Sequence, residues 1–506
     1  MASLFPKEPR ARLRKCLLQP EALQLIPEET ARRYNAIPFE INGQTLRVAM
    51  ANPADIFALE ALTTQSQMRI ESEPATIEEI QEAIDFNYKA YDEIEKQISH
   101  ILPSKLADEQ IKIDLDDITR TPVAQALTLI IDEAVKARAS DIHIHPQEDK
   151  LRVRYRIDGT LHDMFSLPLM TVTPLISRIK IMANMDIAEH HRPQDGQFSI
   201  KAKGRLIDIR VGTILTVYGE MATLRLLDKS RATLALTELG FLPESLEKYE
   251  RMLKVPHGMI LASGPTGAGK TTTLYASVNC LDCAGRNIIT IEDPVEYRFK
   301  GINQIQINPR ANITFSNGLR SILRLDPDVI LVGEIRDTET ARIAIQAALT
   351  GHLVLSSIHA NDAVGVVFRL LDLGIEPFLV SSALIGVVAQ RMVRRVCPDC
   401  AHPTNVPLIE QINYTQETGE VRSEFLYGSG CNSCAHTGYR GRTGIFEILY
   451  MSDEIRTMLF NETTATALRN QAIKEGMISL MRDGMLKAKE NITTPSEILR
   501  SAYSLE

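Results

Sequence analysis

Residues 264–271 read Gly-Pro-Thr-Gly-Ala-Gly-Lys-Thr, which fits the pattern G-x-x-x-x-G-K-[ST] of a phosphate-binding loop. Its glycines let the backbone turn N–H groups inward, Lys270 can reach the terminal phosphate oxygens, and the Thr271 hydroxyl can bind Mg²⁺. The apolar run 259–262 before it predicts a buried strand. Residues 272–279 predict a helix whose positive N-terminal end faces the phosphates. The motif therefore predicts binding and hydrolysis of a nucleoside triphosphate by nine loop residues: Gly264, Pro265, Thr266, Gly267, Ala268, Gly269, Lys270, Thr271 and Thr272.

The chain is too long for a single core, since it has 506 residues and single cores stop growing at ~250–300 residues. We expect a small α/β module over 1–90, a charged linker over 91–120, a second α/β domain over 121–230 and a mostly parallel α/β domain over 231–506. Because nothing catalytic stands out in the first module, we predict a docking domain.

The charge and hydropathy of the chain exclude some classes of partner. The formal net charge of −8 disfavours nucleic acid as the main partner. No apolar run reaches the ~18 residues of a membrane helix, and the longest, 378–389, predicts a buried helix. Residues 1–8 lack the apolar core of a signal peptide. We therefore expect a cytoplasmic protein that reaches a membrane only through a partner.

Within 121–230 the sequence predicts a helix from Thr121-Pro122 to about residue 138 and two strands of alternating polarity, 140–145 and 151–157. Three arginines share one face of the second strand: Arg152, Arg154 and Arg156. They fit a solvated edge and an acidic partner equally well. His143 and His145 also share a face, but without a third ligand they favour a polar surface over a metal site.

Three strands downstream of the phosphate-binding loop end in polar groups. Strand 288–291 ends in Glu292 and Asp293, strand 328–332 is followed by Gly333 and Glu334, and strand 353–358 by His359. Ligands of parallel α/β sheets bind beyond the carboxyl ends of strands. We therefore predict that the acids polarise water or hold Mg²⁺, that Glu334 orients the attacking water, and that His359 senses the γ-phosphate. The alternative for Asp293 is a helix cap.

Isolated basic positions precede this domain. Arg210, Arg225 and the run Arg192-Pro193-Gln194-Asp195-Gly196 are candidates for an arginine finger, which stabilises transition-state charge from another domain or subunit. Spacing alone leaves this role open. Arg336 and Asp337 are candidates for pairing across a subunit interface.

Four of the seven cysteines form two C-x2-C pairs separated by 30 residues: Cys397, Cys400, Cys431 and Cys434. Two such pairs predict a closed tetrahedral, structural Zn²⁺ site. A third pair, Cys280 and Cys283, lies in the helix after the phosphate-binding loop, where packing is the better explanation.

Together these motifs resemble the GspE/PilB family, the ATPase motors of type II secretion and type IV pilus assembly, over residues 119–450. Residues 264–271 resemble the family's Walker A motif, 290–296 its Asp box, 331–337 its Walker B motif with the same glycine at 333, and 349–361 its His box. The cysteine quartet is similar to the zinc subdomain (395–442) of the assembly members. The runs 140–143 and 192–196 resemble signatures of the family's second N-terminal domain.

The resemblance implies a PAS-like second domain and a RecA-like ATPase domain with a zinc subdomain and a helical C-terminus. It implies a homohexamer that uses ATP, Mg²⁺ and Zn²⁺ and in which Arg210 and Arg225 contact phosphate. It also implies that the motor pushes on an inner-membrane platform protein, is held by a cytoplasmic docking subunit, and works at the inner face of the cell membrane. The first domain lacks the leucine-rich lead-in that suggests cyclic-di-GMP binding, so that ligand is not expected.

Three rival functions remain open. A pilus retraction motor is the nearest, but retraction members of the family lack the cysteine quartet and the first domain. A RecA-like nucleic-acid translocase is disfavoured by the acidic balance and by the absence of tryptophan stacking platforms. A nucleotide sensor without turnover is disfavoured by Glu334, a candidate general base.

Overall fold

The computed structural model describes residues 19–77, 79–81, 83–84, 88, 122–202, 204–228, 234–281, 285–435, 437–461 and 463–502. The chain divides into two compact units. The first contains Met1–Lys229, Cys397–His402 and Tyr427–Arg440, and the second contains Ser230–Val396, Pro403–Leu426 and Gly441–Glu506.

The N-terminal part of the first unit is a three-stranded sheet with helices. Its elements are α1 (Pro20–Gln24), α2 (Glu28–Tyr34), β1 (Ala36–Asn42), β2 (Thr45–Met50), α3 (Ile56–Ser66) and β3 (Arg69–Pro74). Strands β1 and β2 form a hairpin, pairing antiparallel about a two-residue turn in which Gly43 takes φ 61°. Asp55 caps α3 by accepting from the Ala58 N–H at 3.1 Å. Strand β3 then pairs parallel with β2.

The next part of the first unit, from Pro122 to Asp228, is a six-stranded antiparallel sheet with two helices. Its elements are α4 (Pro122–Lys136), β4 (Ala139–Pro146), β5 (Lys150–Ile157), β6 (Thr160–Pro168), α5 (Val172–Met182), β7 (Gln194–Ala202), β8 (Arg205–Thr216) and β9 (Gly219–Asp228). The strand order is β6-β5-β4-β9-β8-β7. The predicted helix is present as α4 and packs in this core through Leu127, Ile130 and Ile131. Thr121, where the sequence predicts that the helix begins, lies outside the described residues.

The second unit is built on a seven-stranded sheet of order β12-β11-β13-β14-β10-β15-β18. The elements of this sheet and its connections are α6 (Pro243–Leu253), β10 (Gly258–Ser263), α7 (Lys270–Cys280), β11 (Ile288–Glu292), β12 (Asn303–Gln306), α8 (Phe315–Ile322), β13 (Val329–Val332), α9 (Thr338–Leu349), β14 (Leu353–Ile358), α10 (Ala363–Asp372), α11 (Pro377–Ala383) and β15 (Leu384–Val396). The pairs from β12 to β15 are parallel, as predicted. Alternate residues of β10 enter two different apolar clusters, Met259 and Leu261 in one and Ile260 and Ala262 in the other. Both faces of the sheet are therefore covered.

The prediction of one buried helix over 378–389 is half wrong. Helix α11 ends at Ala383, and β15 begins at Leu384 beside β10. The run Ile385, Val387 and Val388 is β-branched, and such residues fit a central strand better than a helix interior.

The remaining elements follow in chain order: β16 (Ala401–Asn405), α12 (Leu408–Thr418), β17 (Glu424–Gly428), β18 (Tyr439–Tyr450), α13 (Asp453–Phe460), α14 (Ala465–Lys474), α15 (Leu480–Lys489) and α16 (Pro495–Ala502). The predicted helical C-terminus is thus present. Across the described helices, none combines the length and hydropathy that a membrane span requires.

Candidate functional site

The phosphate-binding loop connects β10 to α7 in a conformation that only glycine adopts easily. Gly264, Gly267 and Gly269 have φ values of 146°, 79° and 90°. At Gly264 an added Cβ would also lie 2.4 Å from the Gln390 carbonyl oxygen, so any side chain would collide with the neighbouring strand. Helix α7 begins at Lys270, and its N-terminal end therefore opens directly onto the loop.

Two side chains hold the loop in this shape. The Gln390 side-chain amide on β15 donates to the Ala268 carbonyl at 2.7 Å. The Lys270 ammonium donates to the carbonyls of Gly264 at 2.7 Å and Pro265 at 3.2 Å. Burial lowers the pKa of Lys270, while the charge of Glu334 acts in the opposite direction. No sequence motif marks Gln390, because its role depends on the pairing of β15 with β10.

Glu334 and His359 lie together at the carboxyl ends of two neighbouring parallel strands, β13 and β14. The His359 Nε2 atom is 3.6 Å from a Glu334 carboxylate oxygen. The Ser356 and Ser357 hydroxyls tie the strand ends together by donating to the carbonyls of Val332 at 2.7 Å and Gly333 at 2.8 Å. The Glu334 carboxylate is 18% exposed and His359 is 54% exposed, so both can meet a ligand.

Arg336 and Asp337 have partners within the chain. The Arg336 guanidinium forms an ion pair with Glu334, and this hydrogen bond raises the pKa of Arg336. Asp337 caps α9 by accepting from the Thr340 N–H at 2.8 Å. The suggested pairing across a subunit interface is therefore not needed to satisfy either side chain.

The two acids after β11 occupy different surroundings. Glu292 is buried, and its carboxylate accepts hydrogen bonds from the hydroxyls of Tyr275 and Thr290 and from the Gln304 amide. Asp293 is exposed, and its charge contributes to the raised pKa of Arg336, after the larger effect of Glu334. Because residues 293–302, all described, contain no helix, the capping alternative for Asp293 is wrong.

Gly333, which stands where a Walker B motif usually has an aspartate, packs closely against β11. A Cβ at this position would lie 3.4 Å from the Glu292 Cα and 3.5 Å from the Phe315 ring. These are ordinary van der Waals distances, so packing against β11 does not by itself require a glycine at this position.

Arg210 and Arg225 belong to the six-stranded sheet of the first unit. They are paired positions on the adjacent strands β8 and β9. The Arg225 Nε atom donates to a carboxylate oxygen of Asp141 at 3.1 Å. Two arginines thus lie side by side on one sheet face, and a role in phosphate contact stays a prediction.

The other basic residues of this sheet are partly neutralised within it. Arg152 pairs with Asp163, and the Arg156 Nε lies 3.7 Å from Asp141. Arg154 donates to His145 Nδ1 at 3.1 Å. Burial, followed by the charge of Arg154, lowers the pKa of His145 to about 4. Across the described ranges no third side chain completes a metal site with His143 and His145.

The four cysteines predicted to bind zinc converge on one point. Their sulfur atoms all lie within 4.8 Å of one another. Three of the distances are 3.8 Å (Cys397–Cys431), 3.9 Å (Cys400–Cys434) and 3.7 Å (Cys431–Cys434). A tetrahedron with metal–sulfur bonds of ~2.3 Å has edges of about 3.8 Å, so the cluster fits Zn²⁺. The Gly430 and Cys431 N–H groups donate to Cys400 and Cys434 sulfurs at 3.3 and 3.1 Å, an arrangement that suits thiolates.

Cys280 is an exposed free thiol. Its predicted neighbour in the C-x2-C pair, Cys283, lies outside the described residues. Cys16 also lies outside them.

Comparison with known proteins agrees with this geometry. A family model described as "Type II/IV secretion system protein" matches residues 116–500, and the MshEN domain model matches residues 7–93. The latter overlaps the predicted first domain, and the absence of cyclic-di-GMP binding there stays a prediction.

Individual relatives are similar over most of their length. The chain is 40% identical to the type IV pilus assembly ATPase PilB of Myxococcus xanthus, over 97% of this chain and 88% of that protein. It is 46% identical to the type II secretion system ATPase E of Vibrio cholerae, over 75% of each. Among solved structures, the Legionella pneumophila ATPase DotB aligns with a TM-score of 0.55 at 19% identity, over 77% of this chain and 96% of that one. The last likeness concerns the fold alone. By its family match, its relatives and its nucleotide loop, the chain is an ATPase that belongs to the type II/IV secretion system protein family.

Proposed function

We propose that this chain is a hexameric motor whose ATP turnover drives assembly of a pseudopilus in type II secretion or of a type IV pilus. The observation that carries the proposal is the grouping of Glu334, His359 and Arg336 beyond the carboxyl ends of parallel strands. The phosphate-binding loop leaves β10 at this same end of the sheet. A chain that only bound nucleotide would not need a carboxylate placed there to orient water. The relatives named above, a pilus assembly ATPase and a type II secretion ATPase, support assembly rather than retraction as the function.

In this proposal each side chain of the site has a separate task. Lys270 exchanges its contacts with the Gly264 and Pro265 carbonyls for the phosphate oxygens of ATP. Thr271, exposed at the first turn of α7, holds Mg²⁺, which neutralises phosphate charge when it is bound. Glu334 orients the attacking water as general base, and His359 donates to the γ-phosphate. Asp293 is the Asp-box acid that faces the site.

The first unit supplies positive charge to the reaction. Arg210 and Arg225 present two guanidinium groups on adjacent strands, and we assign them to phosphate oxygens in the assembled ring. Zn²⁺ in the four-cysteine cluster is structural, because four protein ligands leave no coordination position open.

The proposed assembly function implies particular partners. The ring acts at the cytoplasmic face of the inner membrane on a platform protein and is held there by a cytoplasmic docking subunit, with the N-terminal domain as the docking element. Nucleic acid is not a partner, in keeping with the net charge of −8.

Deleting the gene in its host tests the direction and the product of the motor. Loss of surface pili indicates a pilus assembly motor, and retention of exoproteins inside the cell indicates secretion. An excess of pili would instead identify a retraction motor and overturn the proposal. A Lys270→Ala copy should fail to restore either phenotype, whereas the wild-type copy should restore it.

The rival function as a translocase is tested on the purified chain. We expect the ATPase rate to rise with phospholipid and the platform protein and to be unchanged by single- or double-stranded DNA. Stimulation by DNA alone would favour the translocase.

A further inference from the structure

The buried carboxylate of Glu292 accepts hydrogen bonds from three side chains. One oxygen accepts from the Tyr275 hydroxyl. The other accepts from the Thr290 hydroxyl at 2.6 Å and from the Gln304 amide at 3.2 Å. Glu292 is 3% exposed, so its charge is stabilised by protein groups and not by water. A carboxylate held in this way has little freedom to bind a metal ion or water in the open site.

One of the three donors to Glu292, the Tyr275 hydroxyl, belongs to the helix that follows the phosphate-binding loop. Tyr275 lies on α7, four positions after Thr271, so the two residues share one face of the helix. The helix rises ~1.5 Å per residue, and Tyr275 is therefore only about 6 Å along the axis from the nucleotide end. Any movement of α7 is transmitted to the Tyr275 hydroxyl.

Tyr275 also contacts the segment that follows Glu292. Its hydroxyl oxygen accepts the Glu296 N–H at 3.3 Å. Its ring meets the Phe299 ring edge-on at 4.8 Å and the Tyr297 ring at 6.2 Å. Asp293 lies in the sequence between Glu292 and Glu296, the two residues that bond to the Tyr275 hydroxyl, so Tyr275 links the segment that carries the exposed carboxylate to α7.

We propose that Tyr275 is a positioning residue for ATP hydrolysis, which fixes the Asp293 segment to the nucleotide-binding helix through Glu292 and the Glu296 backbone. In this assignment Glu292 acts as an internal anchor, and only Asp293 faces the reacting groups. The proposal rests on the proposed function, because it assumes that Asp293 serves the hydrolytic site.

The test compares two buried tyrosines in the full-length protein, Tyr275 on α7 and Tyr249 on α6, whose hydroxyls each link α7 to another element. Tyr275→Phe removes the hydroxyl and keeps the ring. Tyr249→Phe is the matched control, because Tyr249 is also buried and its hydroxyl bonds to α7 through Ser277 at 2.6 Å, with no carboxylate partner among the described residues. We expect Tyr275→Phe to lower kcat by roughly ten- to a hundredfold, the range for an active-site group displaced by about 1 Å, with KM for ATP within about twofold. Tyr249→Phe should change kcat by less than about twofold.

A second comparison separates anchoring from catalysis by Glu292. Glu292→Gln loses the contact with the Gln304 amide but keeps an oxygen that can accept from Tyr275, so kcat should fall by less than tenfold. A loss as large as that of Glu334→Gln would show that Glu292 itself takes part in the reaction and would overturn the assignment. Affinity for a fluorescent ATP analogue and the thermal unfolding midpoint are measured for each variant, so that a kcat loss from misfolding is recognised.

The outcomes distinguish this inference from the function on which it rests. If the wild-type protein does not hydrolyse ATP, the proposed function fails. If the wild-type protein turns over and Tyr275→Phe matches its kcat, only the positioning role fails.

Discussion

The Nε2 atom of His359 lies 3.6 Å from a carboxylate oxygen of Glu334. This separation is slightly too long for a direct hydrogen bond, so the two side chains are close neighbours that leave room for a ligand group. The two residues are brought together because β13 and β14 are neighbouring parallel strands. A phosphate that meets His359 therefore also meets the acid proposed to orient water.

Replacing His359 should slow turnover without preventing ATP binding. We expect His359→Ala to lower kcat about tenfold, because one hydrogen bond to a charged group contributes about 1.5–3 kcal/mol. His359→Gln, which retains a donor, should recover part of the loss. A steady-state ATPase titration measures both variants, and a wild-type kcat for the alanine variant would rule out a role for His359 in turnover.

Glu334→Gln should nearly abolish hydrolysis and leave nucleotide affinity close to wild type. General-base assistance contributes about 10²- to 10⁴-fold, and the amide cannot accept the proton. Glu339→Gln is the control, since Glu339 is an exposed acid nearby on α9 that pairs with Arg320 at 2.5 Å. Single-turnover assays with fluorescent-analogue binding check the result, and hydrolysis by Glu334→Gln at the wild-type rate would exclude the general-base role.

The four-cysteine cluster should hold about one zinc per chain. Elemental analysis of the purified protein measures this. Cys397→Ser should remove most of the metal and lower the thermal unfolding midpoint, because the remaining cysteines would lose the zinc ion that links them. Cys280→Ser, which changes an exposed free thiol, should keep the metal. A wild-type protein that is metal-free and stably folded would contradict the site.

Arg210→Gln and Arg225→Gln should each lower kcat more than they change KM for ATP. A guanidinium that stabilises transition-state charge contributes as much as 10³–10⁵ in rate. Arg152→Gln serves as the comparison, because Arg152 lies in the same sheet and pairs with Asp163 but is not assigned to phosphate. Equal effects in all three variants would mean that the losses arise from sheet stability rather than from phosphate contact.

The stability of the six-stranded sheet should decrease on acidification through His145. Its pKa is lowered from 6.5 to about 4, first by burial and then by Arg154. The unfolded chain therefore binds more protons between these values, so the stabilising contribution is present above about pH 6.5 and is lost as the pH falls towards 4.

His145→Gln provides the matched comparison, because the amide can accept from Arg154 and does not titrate. Urea midpoints at pH 7.5 and pH 5.0, read by hydrogen exchange of β4 and β5 peptides, should differ less in the variant than in the wild type. An identical pH dependence in both proteins would contradict this assignment.

Much of the nucleotide site was predictable from the order of residues along the chain. The glycine positions of the loop are local requirements, and Gly264, Gly267 and Gly269 do take the positive φ values that glycine permits. The parallel strands were predictable because apolar runs alternate with helical patterns. The spacing of the four cysteines predicted a cluster whose geometry fits a tetrahedral metal.

Other features depended on contacts between distant residues. The run 378–389 changes from helix to strand at Leu384, where β15 meets the edge of β10. Arg336 has Glu334 as its partner within the chain, and Gln390 supports the loop from a strand 122 positions away. No local pattern marks these pairings.

The sequence by itself determined that the chain carries a nucleotide loop, acids at strand ends and two cysteine pairs, because each of these is a short motif with its own local chemistry. Only the tertiary structure decided which way each acid faces. Glu292 and Asp293 are adjacent in sequence, yet one is buried and the other exposed. The physical reason is that a buried carboxylate must find donors, and Glu292 finds one in Tyr275, 17 positions earlier on a different element.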